Sequence, residues 1–303
     1  MKKRFYQVDA FTNKCFGGNS AGVVSDARGL SEYQMKKIAN EMNLSETAFV
    51  FPSTGMEYDY DIRYFTPTQE VDLCGHATIA AFKVLCEEKN ITISEGTVQM
   101  RQKTKAGTLA VELIFEEEVL KSVMMTQTSP RFFEIIEDLS GLAEVFGLSP
   151  MDIGIKNLKV LPQIVSTGLR DIIMPVKSMN ILKNIKPDFE KLTALSNRLG
   201  IIGVHTFALG FEGEVGDLVC RNFAPAAGIN EETATGTSNG ALGAYLVKNN
   251  VISLEKSKAI ICKQGQYMDR PSTIVVCIEG SKDDMTVKVG GQAVVVLSGT
   301  IYC

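Results

Sequence analysis

The feature that most limits how this chain can fold is a segment that occurs twice, about 160 residues apart. The first copy, "RYFTPTQEVDLCGHAT", begins at Arg63, and the second, "RNFAPAAGINEETATGTS", begins at Arg221. Each contains Arg-x-Phe-x-Pro, then an acidic loop, then a glycine that leads into an alanine-rich stretch. Because the same features recur in the same order, internal duplication is a better explanation than chance. The chain is predicted to form two related lobes.

Both copies lead into a stretch with apolar residues at helical spacing, which begins at Gly75 in the first copy and at Gly236 in the second. Small residues on the inner side allow sheet to enclose each helix closely, so both helices are predicted to be central. Two related lobes that face each other would direct two helix N-termini into one cleft. Free N–H groups and the positive ends of the helix dipoles favour a carboxylate there.

Much of the remaining sequence consists of short stretches rich in β-branched and aromatic residues, which predict strands. Two of them are "VHTFALGF" (204–211) and "DLVCRNF" (217–223). One further helix is predicted to begin after Ser31, with Gln34 in capping-box spacing, and to end at Asn43. Strands and helices do not alternate and no Gly-x-Gly-x-x-Gly or Walker A sequence occurs, so a nucleotide-binding fold is disfavoured.

Composition excludes several classes of function. The 303 residues have an ordinary hydrophobic content and a net charge of −4, which offers no basic surface to nucleic acid. No apolar stretch approaches the length that spans a bilayer, and the first residues lack a signal-peptide pattern, so a cytoplasmic protein with no membrane partner is expected. The seven scattered cysteines and two histidines form no zinc spacing, and no carboxylate cluster is evident near either histidine. No metal site is predicted.

Five segments in order resemble one known family. They are "VDAFTNKCFGGNSAGVV", "NLSETAFV", "CGHAT", "STGLRDIIMPV" and "RNFAPAAGINEETATGTSNGALGAYL". The chain resembles the PhzF-like (phenazine biosynthesis) family of the diaminopimelate epimerase fold over essentially its whole length. The resemblance implies an α+β fold of two pseudo-symmetric lobes, each a barrel-like, mostly antiparallel sheet around a central helix. We expect residues 1–118 and 286–303 in the N-terminal lobe and 119–285 in the C-terminal lobe.

The resemblance also implies a function. The expected activity is that of a cofactor-independent isomerase, often dimeric, that moves a proton on a small carboxylate bound between the lobes. The family member that gives it its name moves a proton within a dihydro-hydroxyanthranilate ring. The family's catalytic groups match Glu46, the base and then the acid, together with His76 and Glu232. The expected substrate-binding residues are Gly18, Asn19, Ser20, Gly75, Ser166, Gly168, Gly236 and Thr237.

The positions of Glu46 and His76 suggest how each side chain would act. A glutamate in a loop is usually solvated, but burial at the edge of an apolar strand would raise the pKa of Glu46 toward that of a general base. His76 lies in the first turn of its predicted helix, where the dipole disfavours the protonated form. A neutral imidazole there would donate a hydrogen bond to a substrate oxygen, whereas the alternative is a structural histidine.

Cys74 supports a second hypothesis, a cysteine-dependent amino-acid racemase or epimerase. A thiol beside a helix N-terminus would have a lowered pKa. The matching residue of the second lobe is Thr235, whose hydroxyl is too weak an acid to act as partner, so Cys74 is interpreted as packing or as a pocket wall. A third hypothesis is an inactive protein that binds small carboxylates. It is motivated by Glu232 and Thr237, which stand where the family has aspartate and serine.

Overall fold

The computed structural model describes residues 1–53, 55–210 and 218–303. Two predicted strand ends, at Phe211 and Asp217, lie outside the described residues. The chain divides into a first unit, Met1–Thr126 with Gly290–Cys303, and a second unit, Gln127–Val289. The sequence interpretation placed residues 119–126 in the second lobe. They form a strand in the first unit, because they pair with the strand that precedes them.

The first unit consists mainly of strands, with two helices. Its elements in chain order are β1 (Lys2–Ala10), β2 (Asn19–Val24), α1 (Glu32–Met42), β3 (Glu46–Pro52), β4 (Tyr60–Phe65), β5 (Glu70–Val71), α2 (Gly75–Glu87), β6 (Gly96–Thr104), β7 (Gly107–Glu116), β8 (Val119–Thr126) and, at the end of the chain, β18 (Ala293–Tyr302). The predicted cap of α1 is confirmed. Ser31 and Gln34 form a capping box, and Asn43 ends the helix in the left-handed conformation.

The second unit has more helix on its outside. Its elements are β9 (Arg131–Ile135), α3 (Leu139–Phe146), β10 (Gln163–Ser166), β11 (Arg170–Pro175), α4 (Met179–Asn184), α5 (Phe189–Leu199), β12 (Gly203–Leu209), β13 (Leu218–Ala224), β14 (Ile229–Glu232), α6 (Gly236–Lys248), β15 (Ile260–Gln264), β16 (Ser272–Gly280) and β17 (Met285–Gly291), whose last two residues belong to the first unit.

The same order of strand pairing occurs in both units. In the first, β1–β2 is antiparallel, β2–β3 parallel, β3–β4 antiparallel, β4–β6 parallel and β6–β7 antiparallel. In the second, β10–β11, β11–β12, β12–β13, β13–β15 and β15–β16 repeat this sequence of orientations. The duplication predicted from the sequence is therefore confirmed in the topology, and most pairs are antiparallel.

A helix lies at the centre of each unit, as predicted. α2 packs against β1, β2, β3, β8 and β18, and α6 packs against β10, β11, β12 and β16. In each helix 10 of the 13 residues are buried. A helix that is buried on nearly all sides must be rich in small and apolar residues, which explains the alanines and glycines of both sequences. Only the ends of these helices remain available for polar chemistry.

The repeated Arg-x-Phe-x-Pro motif fixes the chain that returns to each central helix. The Arg63 guanidinium binds both carboxylate oxygens of Glu70, at 2.7 Å each, and the Arg221 guanidinium binds both oxygens of Glu231, at 2.8 Å each. Each guanidinium also stacks on the phenylalanine two residues later. Arg63 lies in β4 and Arg221 in β13, whereas the two glutamates lie in β5 and β14. Each ion pair therefore joins the arginine's strand to the segment that leads into the central helix.

The two arginines are expected to differ in their contribution to stability. Arg221 is nearly buried and also donates to the main-chain oxygens of Leu182 and Ile185. Arg221→Met would leave those groups and Glu231 unpaired, at a cost of about 3–5 kcal/mol. Glu70 keeps a second cation, Lys105, when Arg63 is replaced, so Arg63→Met should cost about 1 kcal/mol.

Urea unfolding of the two variants and the wild type measures this difference in the free energy of unfolding. Equal losses would contradict the assigned roles of the two ion pairs.

Candidate active site

The side chains best suited to proton transfer lie at the N-terminus of α2 in the first unit. Cys74 is the N-cap residue, and His76 is the second residue of the helix. His76 Nε2 lies 3.0 Å from Glu46 Oε2, and His76 Nδ1 lies 3.5 Å from Cys74 Sγ. The His76 side chain is 8% exposed and that of Glu46 is 21% exposed. The predicted catalytic residues Glu46 and His76 are therefore brought together in a site that is largely shielded from water.

Strand register and turn geometry place these groups. Glu46 is the first residue of β3 and pairs with Ala21 of the parallel strand β2. β2 begins at Asn19, whose amide nitrogen lies 3.5 Å from His76 Nδ1. Gly18 precedes it at φ +62°, where a Cβ would lie 2.1 Å from the main-chain oxygen of Ala10, so only glycine fits. The turn thus directs Asn19 toward the histidine.

Two other predicted binding residues of the first unit lie around this group. The Ser20 hydroxyl donates to the carboxylate of the buried Asp9, so its position is fixed by a partner that the sequence did not indicate. Gly75 lies between Cys74 and His76, and a Cβ added to it would meet no atom within 4 Å. There is therefore open space beside the first peptide of α2.

Glu46 and His76 form an ion pair. Burial acts to raise the pKa of Glu46, but the charge of His76 and its hydrogen bonding outweigh burial and lower that pKa. Burial acts to lower the pKa of His76, but hydrogen bonding with Cys74 and the charge and hydrogen bonding of Glu46 outweigh it and hold that pKa well above its ordinary value. The sequence analysis expected a raised pKa for Glu46 and a neutral His76. Both expectations are wrong, because each group gains the opposite charge as its neighbour.

Cys74 also differs from the expectation. Burial, followed by the negative charge of Glu46, raises the pKa of its thiol, whereas the helix N-terminus was predicted to lower it. Desolvation dominates because Cys74 is only 8% exposed. The thiol is therefore held in its neutral form, which does not favour a role as base.

The predicted residues of the second unit form two groups near the N-terminus of α6. In the first group, Ser166 ends β10 and Gly168 lies in the turn that follows, where the Ser166 hydroxyl accepts from the Gly168 N–H at 3.2 Å. Thr167 of this turn donates to the main-chain oxygen of Thr237, at 2.9 Å. A Cβ on Gly168 would lie 3.6 Å from Thr237 Cγ2. This turn therefore packs directly on the start of α6, which begins with Gly236 and Thr237.

The second group contains Glu232 and a residue that sequence reasoning missed. The Thr235 hydroxyl donates to Glu232 Oε2 at 2.6 Å. Gln264 donates to the main-chain oxygen of Glu232, at 2.8 Å, and accepts from the main-chain N–H of Thr235, at 3.2 Å, and from Asn239, at 2.9 Å. One buried amide thus holds the loop that carries Glu232. The signal in the sequence was a glutamine at an inward position of the apolar strand "IICKQ".

The second histidine is structural. His205 is fully buried in β12, with ring nitrogens 3.1 Å from Asn222 Oδ1 and 3.3 Å from Asn239 Oδ1. Burial lowers its pKa to about 4, against the opposing effect of both hydrogen bonds.

The sequence analysis found no carboxylate cluster near either histidine. In the structure, the carboxylate of Glu46 lies beside His76. The ligand atoms of Glu46, Cys74 and His76 all lie within 4.8 Å of one another. Among the residues that the structure describes, these three could hold a metal ion together.

Two pseudo-symmetric units, each a sheet around a central helix, define the diaminopimelate epimerase-like fold, which agrees with the fold class expected from the sequence. The fold resembles that of a hydroxyproline epimerase from Agrobacterium vitis, with a TM-score of 0.64 at 10% identity over 99% of this chain and 92% of that one. The phenazine biosynthesis-like protein family matches residues 8–299, and the chain belongs to that family.

Relatives agree with this assignment. A protein named as an uncharacterized isomerase from Clostridium acetobutylicum is 40% identical over 99% of this chain and 98% of its own length. The uncharacterized isomerase YddE of Escherichia coli K12 is 36% identical over 92% of this chain and 91% of its own. A PhzF-family protein from Bacillus anthracis has a TM-score of 0.87, with 28% identity over both whole chains. No helix among the described residues is long and apolar enough to cross a membrane.

The ion pair can be tested by NMR, because the chain has only two histidines. In the wild type, one imidazole should titrate well above pH 6.5 and the other near pH 4. In Glu46→Gln the upper pKa should fall, since burial then acts on His76 without the opposing carboxylate.

The signal of His205 is the internal control and should stay near its wild-type pKa. An unchanged upper pKa in Glu46→Gln would refute the ion pair.

Proposed function

We propose that this protein is a cofactor-independent isomerase that moves a proton on a small carboxylate substrate. The observation that carries the proposal is the ion pair of Glu46 and His76, 3.0 Å apart at the N-terminus of a buried helix. Membership of the phenazine biosynthesis-like family and the isomerase names of the relatives support the same class of reaction.

Glu46 is the proposed base. The carboxylate is ionised at neutral pH and can accept a proton from a substrate carbon, although its lowered pKa makes it a weaker base than the glutamate expected from the sequence. A carboxylate has about four lone-pair sites, so lone pairs remain for that proton beside the 3.0 Å contact of Glu46 Oε2 with His76 Nε2. The C–H electron pair moves into the conjugated system of the substrate. Glu46 then returns the proton to another position, which completes an isomerisation with no net loss of atoms.

His76 and the start of α2 are proposed to stabilise the negative charge that develops on a substrate oxygen. A protonated imidazole is a stronger donor than the neutral one expected from the sequence. The free N–H groups of the first turn and the helix dipole act in the same direction.

The predicted binding residues of the second unit are retained as a proposal that rests on the family resemblance. Gly236 and Thr237 begin α6 as Gly75 and His76 begin α2, and we assign them to substrate oxygens, with Ser166 and Gly168 of the adjoining turn. Glu232 is proposed to hold a polar group of the substrate, in an orientation set by Thr235. Because Glu232 and Thr237 replace an aspartate and a serine of the family pattern, we do not extend the proposal to the phenazine substrate itself.

The reaction can be tested by proton NMR in D₂O with a panel of carboxylates that includes dihydro-hydroxyanthranilate, proline and diaminopimelate. The wild type should introduce deuterium at a carbon of one compound. Glu46→Gln keeps the shape of the side chain and removes the base, so exchange should fall by about 10²–10⁴-fold.

Cys74→Ser separates this mechanism from the cysteine-dependent racemase. It should retain exchange, because the thiol is held neutral and the matching residue of the second unit is Thr235. Loss of exchange in Cys74→Ser together with retention in Glu46→Gln would overturn the proposal in favour of the racemase. No exchange with any compound that binds would favour the inactive carboxylate-binding protein.

We also propose that the protein is a homodimer, as the family resemblance implies. Sedimentation velocity should give the mass of two 33.1 kDa chains. A single species of one chain at micromolar concentration would reject this assembly.

A further inference from the structure

Three donor atoms of different kinds converge at the start of α2, and the proposed proton transfer does not use all of them. They are the thiol of Cys74, the imidazole of His76 and the carboxylate of Glu46, whose ligand atoms lie within 4.8 Å of one another. Sulfur, imidazole nitrogen and carboxylate oxygen are the three ligand types that Zn²⁺ takes from proteins.

Two of the three separations between these atoms lie near those of a tetrahedral ion, and the third, between Cys74 Sγ and the Glu46 carboxylate, is within 4.8 Å. Bonds of about 2.3 Å to sulfur and about 2.0–2.2 Å to nitrogen and oxygen place neighbouring tetrahedral ligands roughly 3.2–3.6 Å apart. Cys74 Sγ lies 3.8 Å from His76 Nε2, which lies 3.0 Å from Glu46 Oε2. Shifts of a few tenths of an ångström would bring both separations to these values.

One ring nitrogen of the histidine faces the carboxylate. His76 Nε2 lies 3.0 Å from Glu46 Oε2, whereas the Asn19 amide nitrogen lies 3.5 Å from His76 Nδ1. Nε2 is therefore the nitrogen that an ion shared with Glu46 would bind.

We propose that Glu46, Cys74 and His76 form an inhibitory site for Zn²⁺. Three protein ligands leave the fourth position to water or to a substrate carboxylate. Cys74 binds as a thiolate and His76 as a neutral imidazole, so each releases a proton to solvent when the ion binds. Binding of the ion does not depend on the proposed function. Inhibition does depend on it, because the bound ion would occupy the lone pair with which Glu46 accepts a proton.

Co²⁺ is the probe for binding, since its thiolate complexes have a charge-transfer absorption in the near ultraviolet. Titration of the metal-free protein should produce that absorption at one equivalent, and Zn²⁺ should displace it. Cys74→Ser and Cys74→Ala should both abolish the absorption, and Glu46→Gln should weaken Co²⁺ binding at least tenfold. Cys86→Ser is the matched control, because Cys86 is another buried cysteine of α2, and it should bind as the wild type does.

Absence of the thiolate absorption in the wild type would overturn the proposal, as would its loss in Cys86→Ser or its retention in both Cys74 variants. The second part is tested with the deuterium-exchange assay. One equivalent of Zn²⁺ should stop exchange by the wild type, a chelator should restore it, and Cys74→Ser should need at least tenfold more Zn²⁺. Co²⁺ binding without inhibition by Zn²⁺ would overturn the regulatory part. A failure of the proposed isomerase activity would appear separately, as no exchange by the metal-free protein.

Discussion

The enclosure of α2 and α6 by their own sheets is the constraint on which the rest of the structure depends. A helix that buries 10 of 13 residues has almost no side available for charge, so polar groups concentrate at its first turn. The chain must then approach that turn along a fixed path. The Arg63–Glu70 and Arg221–Glu231 pairs hold that path in each unit, which explains why the most visible sequence repeat is a structural motif that lies just before the candidate site.

How well a feature could be predicted from the sequence depended on how far apart along the chain its interacting residues lie. The repeat, the central helices and the cap of α1 follow from local sequence patterns, and the structure agrees with all three. The proximity of Glu46 and His76 was expected only from the family resemblance. Their pKa directions were predicted wrongly, because the sequence shows burial and the helix dipole but not a 3.0 Å contact between residues 30 positions apart. Gln264 was missed for the same reason, since its partners lie in other elements.

The two units share a topology but not their polar chemistry. At matching positions of the central helices, Cys74 and His76 correspond to Thr235 and Thr237. In place of the Glu46–His76 pair, the second unit has a neutral network in which His205 Nε2 contacts the Asn239 side-chain oxygen and the Asn239 amide donates to Gln264. This network fixes the segment that carries Glu232 in place. Its histidine, His205, does not titrate near neutral pH, because burial lowers its pKa to about 4.

The backbone makes this asymmetry unavoidable. Ala21 pairs with Glu46 between β2 and β3, and Asp171 pairs with Gly203 at the equivalent place between β11 and β12, so Gly203 is the counterpart of the proposed base. A Cβ on Gly203 would lie 2.2 Å from the main-chain oxygen of Phe223, a separation that no side chain can have. The second unit therefore cannot provide a matching carboxylate from that strand without moving its main chain. Of the two matching strand positions, only the one in the first unit can therefore carry a carboxylate. This suits a mechanism in which a single base accepts the proton and then returns it.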